Sequence, residues 1–480
     1  MTARSSGDEL TVGIDIGTTS VKALAVSSDG AVVARTRVPH QIFHASADYL
    51  EHDARVAWRR GPRRAMAQIQ AELEAGGPNL GPLAGICVAG MVPSMTAVDR
   101  RGVPQTPGLL YGDLRGRGAG IGPPDDGSSV ESQAEMPDAV GFLRWTAAEL
   151  PGAHGYWPAQ AVATHSLSGH PVMDTMVAVT LVELHQGGQW NEELLERMGV
   201  RLSQMPAVAF TGQAAGTMKV PGSGRGVGPG GDEAVVAGGS IDAMCDQIVA
   251  GADRAGDVLV IFGATLIVWI VTTDWVEAPG LWTIPHTAPD LLLVGGPSNA
   301  GALFVDWARS LLRTDRRGEE EAPRTGDPAR VPVWLPYVRG ERAPYHDPSL
   351  RAGLYDLDIC DSPDGLQRAA YEASGFVVRN FLERAGVTAQ RIVASGGGTR
   401  SEAWMSAVAD ASGLPIDCVA VPEGAARGAA YLARMAAGLE ADMDGSRRWA
   451  AVGRRVEPDP SWQEACDGRY RRFAGLGSGR

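Results

Sequence analysis

Two stretches of the chain repeat one hydrophobic pattern, with Gly17 and Gly263 separated by 246 positions. The first reads VGIDIGTTSVK at 12–22 and the second reads VLVIFGATLIVWIV at 258–271. Each is a run of aliphatic and β-branched residues interrupted by a Gly-x-Thr turn, and such runs are typical of buried strands. The pattern predicts a strand–turn–strand unit at the start of each half of the chain.

The remaining pattern alternates between strands and helices, which favours an α/β fold. In the first half we predict strands at 11–16, 21–27 and from 31, a hairpin turn at Asp29-Gly30, a helix at 53–75 capped by Asp53, a buried strand at 84–91, a strand and hairpin at 97–107, and a capped helix at 190–200. The Gly-rich segments 116–138 and 216–233 are expected to form a surface loop and a connector.

The second half restarts the alternation near residue 250. A strand, a triple-glycine turn and a helix are predicted within 386–418, and a strand, a Gly-Gly turn and a helix within 235–251. The Pro- and Arg-rich segment 334–357 is expected to be an ordered edge of the active site rather than a linker. With 480 residues, two large domains are the reasonable expectation, which we assign to 1–250 and 251–480.

Composition and charge restrict the partners. The formal net charge of −13 opposes nucleic-acid binding. The N-terminus lacks the apolar segment of a secretory signal, and the longest apolar run is too short to span a bilayer as a helix. The five cysteines are dispersed, and neither they nor the histidines have metal-ligand spacing. We therefore expect a cytoplasmic protein with no membrane or nucleic-acid partner.

Three glycine-rich turns carry the candidate chemistry. The two Gly-x-Thr turns can offer backbone N–H groups and hydroxyls to a polyphosphate, although the same tripeptide also recurs by chance in strand turns. Gly396, Gly397 and Gly398 lack a Cβ, so a phosphate or a flat ring could approach their backbone, unless they form a plain tight turn. Asp242 begins a helix, where it can accept a proton from an alcohol or cap the helix, and Asp246 is a rival candidate one turn further on.

Motifs along almost the whole chain resemble, in order, those of the FGGY carbohydrate kinases. The matching segments include GIDIGTTSVKALAVSSDG, LEHDARVAW, WNEELLERMGV, GGSIDAMCDQIVAG, IFGATLIVWIV, GGPSNAGALFVDW, LPYVRGERAP, SGGGTRSEAW and PEGAARGAAYLA. The resemblance implies a two-domain actin-like ATPase fold, which is ribonuclease H-like, with an interdomain cleft. It also implies ATP and Mg²⁺ as cofactors.

The resemblance further implies roles for individual residues. Asp15 would hold Mg²⁺ through water, and Asp242 would accept the proton of the attacking hydroxyl. The phosphates would be bound by Gly17, Thr18 and Thr19 from one domain and by Gly263 and Thr265 from the other, and adenosine would pack on Gly396 and Gly397. Phosphoryl transfer needs mainly positioning and charge neutralisation, which these residue types supply.

The acceptor-binding segments depart from the family pattern. The usual GQMHG is AGMVPSM at 89–95, so Met91 and Val92 form an apolar wall, and the usual WNDxR is YGDLRG at 111–116. Asp113 could bind two adjacent hydroxyls, and Arg115 could orient Asp113, contact an anionic group, or form a purely structural salt bridge. Glycerol is disfavoured because the Arg-Glu pair of glycerol kinases is absent. The second phosphate turn reads GAT where GTS is more usual, so one hydroxyl is lost.

These observations predict ATP-dependent phosphorylation of a sugar hydroxyl. The resemblance favours a ketopentose such as D-xylulose, and the altered pocket leaves other ketoses, polyols and modified sugars open. The competing hypothesis is a non-catalytic regulator that keeps nucleotide binding but has lost sugar phosphorylation. A homodimer is expected only because homodimers are common among soluble enzymes.

Overall fold

The computed structural model describes residues 9–44, 49–76, 80–111, 113–115, 139–181, 183–186, 188–220, 232–288, 290–312 and 327–478. The expected surface loop at 116–138 and the central part of the expected connector, 221–231, lie outside these ranges. The described residues divide into two compact units. Unit 1 comprises the chain up to residue 249 together with 424–449, and unit 2 comprises 250–423 and the chain from 450 onward.

Unit 1 is built on one mixed sheet with smaller sheets beside it. Its strands are β1 (Leu10–Ile16), β2 (Ser20–Val26), β3 (Val32–Pro39), β4 (Ile42–Phe43), β5 (Glu51–His52), β6 (Leu83–Gly90), β7 (Ser94–Val98), β8 (Gly108–Leu110), β9 (Gly155–Trp157), β10 (Val172–Asp174), β11 (His185–Gln186), β12 (Gln189–Trp190), β13 (Ala207–Ala209), β14 (Ala214–Lys219), β15 (Glu233–Ala237) and β16 (Ser240–Ile241). Its helices are α1 (Gly61–Ala75), α2 (Ala139–Glu149), α3 (Ala159–Ser168), α4 (Thr175–Val179), α5 (Glu192–Arg197) and α6 (Asp242–Ala250), which runs into unit 2 by one residue.

Unit 2 contains a second mixed sheet with its own helices. The strands are β17 (Asp257–Phe262), β18 (Leu266–Thr272), β19 (Trp282–Pro285), β20 (Leu292–Ser298), β21 (Val333–Leu335), β22 (Gly353–Tyr355), β23 (Arg391–Ser395), β24 (Ile416–Val419) and β25 (Val452–Val456). The helices of this unit are α7 (Ala302–Leu312), α8 (Pro363–Ala385), α9 (Glu402–Ser412) and α11 (Pro460–Ser478), whereas α10 (Gly424–Ala436) belongs to unit 1.

The two main sheets have the same internal order. In unit 1 the order is β14-β15-β6-β1-β2-β3, and in unit 2 it is β25-β24-β23-β17-β18-β20, with β19 added beyond β20. Corresponding pairs have the same direction, since β1 and β17 are antiparallel to the next strand and parallel to β6 and β23 respectively. The repeated Gly-x-Thr pattern is therefore the turn of the first hairpin in each sheet, as the sequence predicted.

Local signals in the sequence also have their expected structural effects. The Asp53 carboxylate accepts hydrogen bonds from the backbone N–H groups of Arg55 and Val56, at 3.0 and 3.2 Å, where a π-helical turn leads into α1. The Asn191 side chain caps α5 by accepting from the Leu194 N–H at 3.1 Å. At the predicted hairpin turn, Gly30 has a φ of 84°, a conformation that glycine adopts without strain.

The compact units differ from the two continuous segments expected, 1–250 and 251–480. The chain returns to unit 1 at residue 424, because α10 lies directly on the backbones of β1 and β6. A Cβ on Gly13 would be 1.7 Å from the Ala426 carbonyl oxygen, and one on Gly85 would be 2.5 Å from that of Ala433. Such a return by a distant segment has no signature in hydrophobic periodicity.

No helix in the described residues combines the length and the apolar character needed to cross a bilayer. The apolar run 258–271 is the hairpin of β17 and β18, whose residues are almost all buried in the core of unit 2.

Candidate active site

Three parallel strands of unit 1 end in one row. Ile16 on β1 pairs with Gly90 on β6, and Gly90 pairs with Ile241 on β16. The next residue of each segment is Gly17, Met91 or Asp242, and neighbouring strands lie about 4.8 Å apart. The register thus brings the turn at residues 17–19, called the Gly17 turn below, the start of the altered segment 89–95 and the predicted base to one edge of the sheet.

Asp15 is the second-last residue of β1. Its side chain is buried, and the Lys22 ammonium donates to its Oδ2 atom at 3.4 Å. Within the described ranges, no group of three or more His, Cys, Asp or Glu residues could hold a metal ion. A single carboxylate nevertheless fits Mg²⁺ in a kinase, because that ion is usually bound by one or two carboxylates, several waters and the substrate phosphates.

The Gly17 turn of unit 1 is held from two directions. The Gly17 N–H donates to the Ser20 carbonyl at 3.1 Å, which closes the turn. The Thr18 hydroxyl lies 2.9 Å from the Tyr111 hydroxyl, and the Thr18 carbonyl oxygen lies 2.7 Å from His52 Nε2. Thr18 is half-buried, and Thr19 is exposed at the tip.

The contacts of His52 define which ring nitrogen carries its proton. The Trp58 indole N–H can only donate, and it donates to His52 Nδ1 at 3.0 Å. The proton of a neutral ring is therefore on Nε2, which donates it to the Thr18 carbonyl. Burial, together with the adjacent His40 ring, lowers the pKa of His52 to about 3, so the ring stays neutral near neutral pH.

Asp113 and Arg115 form a buried ion pair whose atoms are already engaged. Arg115 Nε lies 3.0 Å from Asp113 Oδ1, and Arg115 Nη2 lies 2.6 Å from Asp113 Oδ2, which also accepts from the Leu50 N–H at 2.8 Å. The Asp113 side chain is 0% exposed. The structure therefore contains the salt bridge between Arg115 and Asp113, which was one of the alternatives from the sequence. The Asp113 carboxylate is not exposed, so it cannot bind two hydroxyls of a ligand in this arrangement.

Further contacts fix the guanidinium of Arg115. Its Nη2 donates to Glu51 Oε2 at 2.5 Å, and its Cζ lies 4.4 Å from the ring centre of Tyr49 and 4.7 Å from that of Trp145. Although burial opposes the charge, the hydrogen bonds to Asp113 and Glu51 raise the pKa of Arg115 above its usual value. Arg115 thus orients Asp113 within a cluster that also contains Glu51, Tyr49 and Trp145.

Met91 and Val92, the residues of the predicted apolar wall, follow Gly90 at the strand-end row. Met91 is buried and Val92 is half-buried. The Gln160 amide nitrogen donates to the carbonyl oxygens of Gly90 and Met91, at 2.8 and 3.2 Å, and so fixes the end of β6.

The two candidate bases differ in burial. Asp242 is the first residue of α6 and is half-buried, with Oδ1 accepting from the Ala243 N–H at 2.7 Å. Asp246, one turn further along α6, is only 5% exposed. Of the two carboxylates, only that of Asp242 is both at the strand-end row and partly accessible to a ligand.

Unit 2 brings together the other four predicted residues. Gly263 and Thr265 follow β17 and Gly396 and Gly397 follow β23, and these strands are parallel neighbours in which Ile261 pairs with Ser395. Gly396 has a φ of 91°, and a Cβ there would be 2.8 Å from the Phe262 carbonyl oxygen. Gly397 is exposed, and the only neighbour of a Cβ there would be an arginine nitrogen at 3.8 Å.

The Pro- and Arg-rich segment is ordered and supports the turn at Gly263. The buried Glu341 carboxylate accepts from the Ser298 hydroxyl at 2.7 Å and from the Asn299 N–H at 2.8 Å. Just beyond, the N–H of Ala302 at the start of α7 donates to the Gly263 carbonyl at 2.9 Å. Burial raises the pKa of Glu341 to about 7.

Comparisons with known proteins agree with this arrangement. The N-terminal domain model of the FGGY family of carbohydrate kinases matches residues 10–119, and the C-terminal domain model matches residues 258–437. A xylulose kinase of Streptomyces coelicolor is 28% identical over 470 residues, covering 92% of this chain and 90% of that protein. A glycerol kinase of Pseudarthrobacter chlorophenolicus is 24% identical over 487 residues, covering 94% of each.

A solved structure extends the similarity to the fold. The xylulose kinase from Rhodospirillum rubrum is 26% identical, with a TM-score of 0.73 over 98% of both chains. The fold and the matches define a sugar phosphotransferase with the two-domain actin-like ATPase fold, for which ATP is the co-substrate. The chain belongs to the FGGY family of carbohydrate kinases. The predicted family, fold class and enzyme class are thereby confirmed.

Sequence reasoning missed Tyr111 and His52 as contacts of the Gly17 turn. The signal was present, because each residue replaces a different one in a family motif. Tyr111 stands where WNDxR has tryptophan, and His52 stands where EQDPxxWW has glutamine. Both residues lie far from Thr18 in the sequence. Their contacts with Thr18 are therefore visible only in the tertiary structure.

Proposed function

We propose that this kinase transfers the γ-phosphate of Mg-ATP to a hydroxyl of a ketose, with D-xylulose the leading candidate and Asp242 the general base. The single observation that carries the base assignment is the strand-end row in which Gly17, Met91 and Asp242 are neighbours. A base must come within hydrogen-bond reach of the acceptor hydroxyl while that oxygen faces the γ-phosphate. A carboxylate next to a phosphate turn and an acceptor wall meets both conditions.

The glycine turns are proposed as the nucleotide-binding segments of this chain. In unit 1 the contacts would be the backbone at Gly17 and the hydroxyls of Thr18 and Thr19. In unit 2 Gly263 and Thr265 would bind phosphate, and Gly396 and Gly397 would pack on adenosine. Asp15 would hold Mg²⁺ through water, and the ion would neutralise charge on the phosphates.

The acceptor is the less constrained part of the proposal. We propose D-xylulose as the acceptor because several similar proteins are xylulose kinases. A glycerol kinase is also similar to this chain. We propose that Met91 and Val92 contact the acceptor. Asp113 and Arg115 would shape its pocket from behind, because their polar atoms already bind each other, Glu51 and the Leu50 N–H. A less polar sugar, such as a deoxy or methylated ketose, suits this wall better than an unmodified polyol.

The first test is ADP release from Mg-ATP against ketoses, deoxyketoses, aldoses, polyols and sugar acids. Asp242→Asn removes the base but keeps the size of the side chain, so turnover should fall by a factor on the order of 10² to 10⁴. The dissociation constant of Mg-ATP, measured by calorimetry, should stay unchanged.

Asp246→Asn is the matched control, since it makes the same chemical change one helical turn away. Turnover per nucleotide-binding molecule should remain close to that of the wild type. Loss of turnover in Asp246→Asn with activity retained in Asp242→Asn would reverse the base assignment. A strong response to a different sugar would keep the mechanism and replace D-xylulose.

A regulator that binds nucleotide without phosphorylating sugar is the second candidate, and the altered segment at 91–92 is the observation that favours it. It predicts Mg-ATP binding with no acceptor-stimulated ADP release from any member of the panel.

We also expect a cytoplasmic location, consistent with five unpaired cysteines. A homodimer remains an expectation, which sedimentation can test.

A further inference from the structure

Thr18 is held at both of its oxygen atoms by residues that lie far from it in the sequence. Its carbonyl oxygen accepts from His52 Nε2 at 2.7 Å, and its hydroxyl lies 2.9 Å from the hydroxyl of Tyr111. These contacts span 34 and 93 positions of the chain, respectively. A turn held in this way keeps one backbone position and one side-chain rotamer, which a flexible tip does not do alone.

Tyr111 is itself rigidly placed. It follows β8, which pairs with β7 through Ser94 and Leu110 and with β5 through Glu51 and Leu109. The Tyr111 side chain is 9% exposed. Tyr111 therefore directly follows a strand that is paired on both of its edges.

Proton counting gives this contact a direction. Each hydroxyl has a single proton, so a Thr18 hydroxyl that donates to a phosphate oxygen can only accept from Tyr111. The resulting chain runs from the Tyr111 O–H to Thr18 Oγ1 and from the Thr18 O–H to the phosphate. Hydrogen bonds in such a chain polarise one another, which strengthens the outer donor.

We propose that Tyr111 is a positioning residue for nucleotide binding, whose hydroxyl donates to Thr18 and so directs the Thr18 proton towards the phosphates of ATP. The inference rests on the proposed function, because it assumes that Thr18 is a phosphate ligand. It assigns to Tyr111 a role in ATP affinity, although its segment belongs to the acceptor side of the sequence pattern. No covalent step is involved.

The test is calorimetric titration with Mg²⁺ and AMP-PNP, a non-hydrolysable ATP analogue, on the full chain. Tyr111→Phe removes only the donor, so the dissociation constant should rise about two- to tenfold, the usual worth of one neutral hydrogen bond. Thr18→Ala should also weaken binding. In the Thr18→Ala background, Tyr111→Phe should produce no further change in affinity, because position 18 then has no hydroxyl for Tyr111 to orient.

Tyr156→Phe is the matched control. Tyr156 is a buried tyrosine of the same unit whose hydroxyl donates to the Leu150 carbonyl at 2.9 Å, so its loss is purely structural and should leave the dissociation constant unchanged. A general loss of stability would lower Tm and the binding stoichiometry without weakening the affinity of the molecules that remain folded.

The inference is overturned by unchanged affinity in Tyr111→Phe, by an equal effect in the wild-type and Thr18→Ala backgrounds, or by an equal effect of Tyr156→Phe. If the wild-type protein does not bind AMP-PNP, both the inference and the proposed function fail. If it binds and Tyr111→Phe behaves like the wild type, the inference fails alone.

Discussion

At the scale of single residues, His52 shows how burial gives an ionisable side chain a fixed structural role. Its ring accepts from Trp58 and donates to the Thr18 carbonyl, an arrangement that requires the neutral tautomer with the proton on Nε2. A protonated ring would lose the bond from Trp58, since both of its nitrogens would be donors. The low pKa of His52 is thus linked to the geometry of the Gly17 turn.

This linkage predicts a pH dependence of stability. The pKa of His52 is lowered from 6.5 to about 3 in the folded protein, so the unfolded chain binds an extra proton between these values. The contribution is fully present above pH 6.5 and is lost as pH falls towards 3, at up to about 1.4 kcal/mol per pH unit. Burial also lowers the pKa of His40, which acts in the same direction.

His52→Gln should remove this part of the pH dependence, because glutamine can donate to the Thr18 carbonyl without titrating. Chemical denaturation at pH 7.5 and 5.0 should show a difference in unfolding free energy that is about 2 kcal/mol smaller in His52→Gln than in the wild type. His170→Gln, at an exposed position, serves as the control and should keep the wild-type difference. Equal pH dependence in His52→Gln and wild type would contradict the linkage.

At the scale of elements, α10 packs closely on the strands beneath it. Gly13 and Gly85 let the helix backbone approach β1 and β6, and Gly428 lets it approach α6, where a Cβ would be 1.8 Å from the Cys245 carbonyl oxygen. The obstacles are main-chain atoms, which cannot rotate away as a side chain can. The position of β1, and with it the turn at Gly17, therefore depends on the absence of a few methyl groups.

Gly13→Ala should destabilise the protein by about 3 kcal/mol or more, since overpacking forces the helix away from the sheet.

Gly468→Ala is the opposite case, because Gly468 lies within α11 and a Cβ there would have no neighbour within 4 Å among the described residues. It should raise stability by about 0.5–1 kcal/mol through the lower backbone entropy of alanine in the unfolded chain. Comparing their Tm values by calorimetry tests both statements, and a wild-type Tm for Gly13→Ala would show that α10 is not as tightly seated.

At the scale of the whole molecule, unit 1 is made from two distant parts of the chain. Residues 424–449 bind the N-terminal segment through side chains as well as through the packing of α10. Trp449 Nε1 donates to the Ser28 carbonyl at 3.1 Å, and Arg427 Nε donates to the Gly30 carbonyl at 3.0 Å. Arg434, almost fully buried, donates to the Glu9 carbonyl at 3.2 Å.

A fragment ending at residue 250 should therefore lack a cooperative thermal transition, because one face of β1 and β6 would be left uncovered. Co-expression with a second fragment carrying 424–449 should restore a cooperative transition, as measured by circular dichroism. The same second fragment with Arg434→Ala and Trp449→Ala should restore it poorly. Cooperative unfolding of the first fragment alone would show that the unit does not need its distant part.

Much of the fold was predictable because its signals are local. The runs at 12–22 and 258–271 became the first hairpins of two sheets with the same order, and the glycine turns formed where the apolar runs stop. The alignment of Gly17, Met91 and Asp242 was only partly predictable. Their segments could be recognised separately, but strand pairing over more than 70 positions decides that they are neighbours.

The sequence by itself determined the family, the α/β class, the repeated strand–turn–strand unit and the candidate nucleotide turns, because each depends on residue types at short spacing. Only the tertiary structure decided that Asp113 is occupied by Arg115, that Tyr111 and His52 hold Thr18, and that 424–449 belongs with the N-terminal sheet. These facts depend on contacts between segments distant in the chain. Burial and hydrogen-bond geometry specify such contacts, and neither has a periodicity that a single sequence reveals.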